Sequence, residues 1–497
     1  MQVKKELGAS TENSYLKEYT DREGKTHLLY FVNKNVILSK NMLKEMVKYN
    51  YVEFCDKFNR SVDNLPSNIQ YIKFGSNFYE SVDNLPTNLK ELHLGKYYNK
   101  PIDNLPKGLK VISFGNRFTL ALNDKLPAGL ESITFADNFN KQLDYLPPGL
   151  RNLTFGFNFN QPIDNLPFGL QNLTLGENFN QPVDNLPSGL KNLTFSYDSQ
   201  FNQSINNLPS GLQSLTFGYN SVFNQQVNNL PSGLQNLTFG KNFNQPVDNL
   251  PSGLQNLIFG DYFNKTIDNL PTELQELKFG LCFNQPVDNL PERLEKLTFG
   301  SSFDKPVDNL PHNIQYLTFG CNFNQPVDNL PEGLEDLTLG YHFNKPVNNL
   351  PTKLKNLKFG YHFNQQVDNL PTKLEDLTFG ISFDNPVDNL PSKLQSLTFD
   401  MFFNQPVNNL PSQLQNLTFG CNFNQPIDNL PSFNPEKGET GLKNLTFGNS
   451  FNQPLDNLPA FNSKNGMIGL ESLTISKFYN HPLNNLPTSV KVIRKIL

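Results

Sequence analysis

One spacing governs what this chain can fold into. The dipeptide Leu-Pro occurs 21 times, and 15 of the 20 intervals between its prolines are 20 residues; the others are 21, 22, 22, 28 and 28. A unit this short cannot bury a private core and has to share one with its neighbours, so the period predicts stacked coils. A clean copy runs from Phe243 to Gly260, with apolar positions at Phe243, Val247, Leu250, Leu254, Leu257 and Phe259. Leu257-Ile258-Phe259 stands where most copies have Leu-Thr-Phe, an alternation that predicts a half-buried strand. Pro246 and Pro251 exclude an interior helical turn and favour extended backbone in the rest of the copy. Stacking turns the Phe, Val and Leu positions into continuous spines, each buried side chain being worth roughly 1.5–3 kcal/mol before entropy is subtracted.

The expected fold is therefore an all-β repeat solenoid of about 21 coils of 20 residues with a parallel sheet. Residues 51–497 form the solenoid, and residues 1–50, which lack the repeat, form a small α+β cap over its open end. In that cap Thr26–Val32 reads as a strand, and Ser39 as the N-cap of a short helix with Leu43, Met46 and Val47 on one face. Extra residues at Ser196–Gln200 and Gly218–Val222 fall between a strand and the next Phe, and those at Asn434–Thr440 and Phe461–Ile468 fall after Leu-Pro. Both places are expected to be surface turns, since loops accept added length. At the other end Lys491, Arg494 and Lys495 are expected to guard an open strand edge.

Composition narrows the function. Net charge is -5 and pI about 5.8, so no global basic field draws in nucleic acid or an anionic membrane. No apolar run approaches the roughly 20 residues that cross a bilayer, and the lysines of the first residues precede no apolar stretch. Cys55, Cys282, Cys321 and Cys421 have no paired spacing, which fits free thiols in a reducing, cytoplasmic setting.

Phe-Asn-Gln-Pro-Val-Asp-Asn-Leu-Pro-Ser-Gly-Leu-Gln-Asn-Leu-Thr-Phe-Gly closely resembles the FNIP repeat, a relative of the leucine-rich repeat found in slime moulds and giant viruses of amoebae. The likeness extends from about Tyr51 to the C-terminus. It implies a leucine-rich-repeat-like fold and a binding role, and brings no catalytic residues. Some relatives join an F-box to such repeats and look like ubiquitin-ligase adaptors; residues 1–50 show neither the several helices nor the early Leu-Pro of an F-box.

Each candidate for chemistry has a plain structural reading beside it. The Asp of Asp-Asn-Leu-Pro (Asp63, Asp248, Asp388) would stack as an acidic ladder suited to calcium or acid–base work. Asn206, Asn228, Asn348, Asn408 and Asn484 replace it, and a ligand or catalytic carboxylate does not survive that loss of charge, whereas a turn-making side chain does. The next column (Asn249, Asn269, Asn289) is expected to point inward and satisfy the turn's backbone, as is the Asn of Phe-Asn. Asn-Leu-Thr at Asn152, Asn192, Asn236 and Asn416 matches a glycosylation sequon but lies in the strand. The exposed Thr column (Thr154, Thr238, Thr318, Thr418) suits a β-surface. His342 and His362, each after a Tyr, fall one repeat apart without a third metal ligand in reach.

With no catalytic, cofactor or metal residues found, the expected function is an interaction scaffold binding an as yet unidentified protein, with neither nucleic acid nor membrane as partner. A ubiquitin-ligase adaptor and a polysaccharide-acting repeat enzyme are the alternatives. The candidate binding patch is where the outward columns, usually Asn or Ser and then Thr, give way to Glu276, Lys278, Lys296, Tyr316, Asp336, Lys358 and Asp376. Charges around a central Tyr form an anchor and rim of the kind partners use.

Overall fold

The computed structural model describes residues 9–11, 14–20, 26–122, 125–427, 430–431, 441–455, 470–483 and 490–495. The insertions at 434–440 and 461–468, together with Asn484, lie outside them. The chain divides into two compact units, 1–245 and 246–497.

The first unit opens with three strands, β1 (Ala9–Thr11), β2 (Ser14–Thr20) and β3 (Thr26–Val32). They pair antiparallel, β2 against β3 running from Ser14 opposite Val32 to Thr20 opposite Thr26. β3 then lies parallel to β4 (Tyr51–Phe54), with Leu29 opposite Tyr51, so the N-terminal hairpin continues the sheet of the coils. Of the three N-terminal strands only β3 was legible in the sequence, while β4 falls where Tyr51, Val52 and Phe54 mark the strand of an incomplete repeat. Helix α1 (Lys40–Met46) starts as expected after Ser39, whose Oγ accepts the Met42 N–H at 3.3 Å. Its face differs from the expected one: Met42 and Met46 are buried, Leu43 is half-buried, and Val47 is exposed as the C-cap. Seven residues make two turns, which leaves room for one buried stripe of side chains four apart.

From β4 onward every coil contributes one short strand, ten in the first unit ending at Asn236–Thr238 and twelve in the second from Asn256–Ile258 to Lys491–Lys495. Among the described residues these 22 strands are one more than the 21 Leu-Pro dipeptides of the sequence, because Tyr51–Phe54 supplies a strand ahead of the first of them. Within each unit the register is unshifted: Leu173 faces Leu193, and Leu277 faces Leu297. In a typical coil the strand comprises the residue before the Leu, the Leu and the Thr, one position earlier than Leu-x-Phe. The Phe stays tied to the sheet through its N–H, as in Phe299 to the Thr318 carbonyl at 2.9 Å.

Two tight turns close each coil. The Pro carbonyl accepts the N–H three residues on (Leu254 to Pro251, 3.1 Å; Leu334 to Pro331, 3.0 Å), and the Gly carbonyl accepts that of the following Phe (Phe343 to Gly340, 3.2 Å). Between strand and corner the core fills with paired aromatic rings. Phe279 and Phe283 of one coil stack at 3.7 Å between centroids, and each faces its equivalent in the next coil, Phe299 at 5.7 Å and Phe303 at 6.1 Å. All four are almost wholly buried.

The glycine after the strand is demanded by this closeness. A Cβ on Gly300, Gly320 or Gly340 would overlap the carbonyl of the glycine twenty residues earlier. Other coils carry Cys55, Ala136, Ser196, Asp400 or Ser476 there, so small or unbranched side chains can be accommodated and a β-branched one is the demanding case.

The two short insertions are not purely surface turns, contrary to expectation. Tyr197, Asp198 and Gln200 are exposed, but Ser199 and Ser221 are fully buried. Their hydroxyls accept the N–H of Phe201 and Phe223, each at 3.2 Å, which holds the longer turn against the core. The strand Lys491–Lys495 pairs with Ser472–Ser476, and Lys491, Val492, Ile493 and Arg494 are exposed; the side chain of Lys495 lies outside the described residues.

Gly320→Val is expected to destabilise the protein by about 1–3 kcal/mol or more through overpacking. Gly169→Lys, in the Leu-Pro corner where Lys353 and Lys373 stand in later coils and where a Cβ meets nothing nearer than 3.6 Å, is expected to change little; thermal melting of the two variants compares them. Tyr98 occupies a Phe position and is fully buried, its hydroxyl donating to the Pro101 carbonyl at 3.2 Å. Burial, then the nearby Asp83 and Tyr79, push its phenol well above the usual value. The folded state holds this proton more tightly than the unfolded one, so the contribution is complete below about pH 10 and is lost as pH rises beyond it. Tyr98→Phe should flatten the alkaline limb of stability against pH and change stability at neutral pH by no more than about 1.5 kcal/mol.

Candidate functional site

The seven patch residues all stand on the second unit's strands. Alternation along a three-residue strand sends its Leu inward and its first and third residues outward. The unshifted register then places Glu276, Lys296, Tyr316, Asp336, Asn356 and Asp376 in one column over six consecutive coils. At about 4.8 Å per step this column is roughly 24 Å long. Lys278 and Lys358 belong to the neighbouring column, otherwise Thr here, and stand four coils apart. Lys278, Lys296, Tyr316, Lys358 and Asp376 are exposed, Tyr316 at 48%; Glu276 and Asp336 are half-buried.

The charges are partly spoken for. Lys296 Nζ lies 2.7 Å from Glu276 Oε1, and Asn356 Nδ2 donates to Asp336 Oδ2 at 3.2 Å. A third column, not singled out in the sequence, carries Glu335 and Lys355, paired at 2.7 Å. The hydrogen bond to Glu335, followed by that carboxylate's charge, raises the Lys355 pKa above its usual value. Tyr316 sits between Lys296 and Asp336, a ring flanked by one charge of each sign.

The two asparagine columns behave differently. Asn249, Asn269 and Asn289 are exposed rather than inward, because the corner's backbone is already satisfied by the bond to the Pro carbonyl. The column instead reaches back to the aspartate of the preceding coil, as in Asn309 to Asp288 and Asn329 to Asp308, both at 3.1 Å. Among the described residues every bond of this kind ends on an aspartate, so the acidic column is a hydrogen-bond ladder. At its start the Ser61 hydroxyl, then Asn84, lower the Asp63 pKa. The Asn of Phe-Asn does satisfy backbone: the N–H of Asn344 donates to Asn324 Oδ1 at 2.9 Å, and that of Asn284 to Asn264 Oδ1 at 2.9 Å. Asp304 takes the same role toward Asn324 at 3.0 Å.

The remaining candidates are structural. Sequon asparagines are joined coil to coil, Asn192 to Asn172 and Asn172 to Asn152 at 2.6 Å. Thr154, Thr238, Thr318 and Thr418 face outward and are half-buried. His342 and His362 stack at 5.1 Å beside stacked Tyr341 and Tyr361 at 4.7 Å. Among the described residues no three His, Cys, Asp or Glu side chains come together as a metal site. Sequence reasoning missed an uncharged ridge on the turn after the glycine, where Cys321, Tyr341, Tyr361, Ile381 and Met401 succeed one another; reading that column alone would have found it.

An unshifted stack of short parallel strands closed by Leu-Pro corners defines a leucine-rich-repeat-like solenoid. The FNIP Repeat model matches residues 81–117, 121–158, 144–178, 159–198, 179–220, 201–242, 243–282, 283–322, 323–362 and 343–382, and the chain belongs to the FNIP repeat family. Three of the solved structures similar to it follow. CroV588, described as a novel circular LRR protein, is 30% identical over 94% of this chain and 99% of its own, with a TM-score of 0.44. YopM from Yersinia enterocolitica WA-314 is 21% identical over 77% and 88%, with a TM-score of 0.46. The functional domain of InlJ from Listeria monocytogenes, described as including a cysteine ladder, is 13% identical over 78% and 69%, with a TM-score of 0.34. No curated protein matches.

The two asparagine columns predict different costs. Asn404→Ala leaves the half-buried Asn424 N–H, now held at 2.9 Å, without its acceptor and should cost about 1–2 kcal/mol. Asn329→Ala removes only a solvent-exposed rung and should cost under about 0.5 kcal/mol. Chemical denaturation of both variants measures the difference.

Proposed function

We propose that this chain is a non-enzymatic interaction scaffold that binds a protein partner through the strand face of coils 276–376, with residues 51–497 as the repeat domain and residues 1–50 as its cap. The observation that carries the reading is the placement of the departures from Asn and Thr. Seven of them, spread over about a hundred residues of sequence, fall in two adjacent outward columns. Tyr316 is the anchor, with enough exposed ring to be buried on contact; Lys278, Lys296, Lys358 and the carboxylates of Asp336 and Asp376 form the polar rim that sets orientation. A cytoplasmic setting is part of the proposal, supported by the unpaired cysteines. Among the described residues no helix is long and apolar enough to cross a membrane. The adaptor alternative draws no support from the N-terminal segment, whose described residues form three strands and one seven-residue helix.

The test is reversion of the patch to the repeat's own residues: Lys278→Thr, Lys296→Asn, Tyr316→Asn and Lys358→Thr together. Each change is at an exposed site and should shift stability by no more than about 0.5 kcal/mol. A partner captured by the parent chain should be retained at least about ten-fold less well by the revertant, the loss expected for a central aromatic anchor. Equal retention by parent and revertant would place the interface elsewhere.

A further inference from the structure

A cleft of about 700 Å³ opens in the first unit, where the N-terminal hairpin meets the first coils. Four lysines line it: Lys17 from β2, Lys57 and Lys96 from the turns that follow β4 and Glu91–His93, and Lys73 from Tyr71–Lys73. Two carboxylates, Glu53 and Asp56, share the wall, so the lining carries a net formal charge of +2 (four less two).

Both carboxylates are occupied. Glu53, on a side chain only 13% exposed, lies 2.9 Å from Lys73 Nζ and 4.0 Å from Lys17 Nζ. Asp56 accepts the Ser76 N–H and hydroxyl, each at 2.9 Å, and the first of these bonds, then the second, lowers its pKa. One carboxylate therefore serves two ammonium groups, and neither acid reaches Lys57 or Lys96. Both of these lysines are exposed, and among the described residues neither makes an ion pair. The Lys17 ammonium also stands 3.4 Å from the centroid of the Phe31 ring, which fixes a charge against an aromatic wall.

From this geometry we infer that the cleft takes an acidic peptide segment of a partner protein, its Asp and Glu carboxylates pairing with Lys57 and Lys96 while its backbone lies over the Phe31 side. Lys17 and Lys73 converge on Glu53, which leaves Lys57 and Lys96 for a ligand, and these stand on turns two coils apart, roughly 10 Å at about 4.8 Å per coil, farther than one small anion bridges. Two carboxylates of one extended chain, whose same-side residues recur about every 6.6 Å, can meet the two lysines separately. Glu53 and Asp56 stand among the lysines and repel a continuous phosphate backbone, whereas separate carboxylates approach the lysines individually. This surface is independent of the strand face of coils 276–376, and either can fail without the other.

The experiment measures fluorescence anisotropy of a labelled decapeptide of alternating Glu and Ser on the full chain, with inorganic phosphate and a single-stranded oligonucleotide as competitors. The peptide should bind, and Lys57→Glu with Lys96→Glu should weaken it at least about ten-fold while leaving the melting curve unchanged. Charge-neutralising Lys57→Gln with Lys96→Gln should give a smaller loss in the same direction. Lys373→Glu with Lys393→Glu, an equal change of charge at exposed corners of the second unit outside the strand-face patch, should have no effect. The inference is overturned if the peptide does not bind, if the Lys57 and Lys96 variants bind it like the parent, or if the second-unit variant loses as much. It is also overturned if phosphate or the oligonucleotide displaces the peptide at equal charge concentration.

Discussion

Everything in this molecule rests on one coil lying directly on the next without a shift in register. A coil of 20 residues holds a pair of stacked phenylalanines, a valine and a few leucines, too little to exclude water from itself. Set on its neighbour, the same side chains become continuous: Phe283 meets Phe303 above and Phe263 below, each at 6.1 Å. The parallel pairing that sets Leu277 opposite Leu297, and the equivalent pairs, fixes that alignment, and the glycine column lets the backbones come close enough to make it. A shift of one residue would turn every strand Leu outward, and the core rows would no longer meet.

The same alignment makes the surface readable as columns. A residue type repeated at one position becomes a ladder, and the asparagine of Phe-Asn shows what a ladder does: its amide oxygen takes the N–H of the next coil, as Asn324 takes that of Asn344. A residue that breaks the repeat becomes a local mark on an otherwise uniform face. Tyr316 and the lysines around it are such marks, gathered on one side because register gathers them.

Periodicity made the solenoid legible, since core side chains must recur wherever stacking buries them; the strand positions and the parallel sheet followed from it, and the strand at Thr26–Val32 from its β-forming residues. The direction of an individual polar column did not. Asn249 and Asn264 are both exposed amides beside a turn, yet only the second takes the backbone N–H of the next coil, and distinguishing them needed the knowledge that the Pro251 carbonyl already closes the corner. The hairpin strand Ser14–Thr20 was hidden for a related reason: outside the repeat a single strand has no second copy to reveal it, and its partner across the turn is what defines it. The buried Ser199 and Ser221 escaped because composition marks a serine as surface, while their hydroxyls are needed inside to hold a lengthened turn. In the candidate patch, the columns were legible from the repeat phase, but the ion pairs of Lys296 and Lys355 that temper its charge required coordinates.

The central claim is that each coil owes its core to its neighbours, and hydrogen exchange read by mass spectrometry on Phe303→Ala tests it most directly. Phe303 touches Phe283 and Phe323 in the adjoining coils, both at 6.1 Å. Removing its ring deletes a shared part of three coils, at a cost of about 3–5 kcal/mol. The account predicts that strand amides of 276–278, 296–298 and 316–318 all lose protection, with the effect fading over the coils beyond. Loss confined to the substituted coil, with 276–278 and 316–318 protected as in the parent, would contradict it.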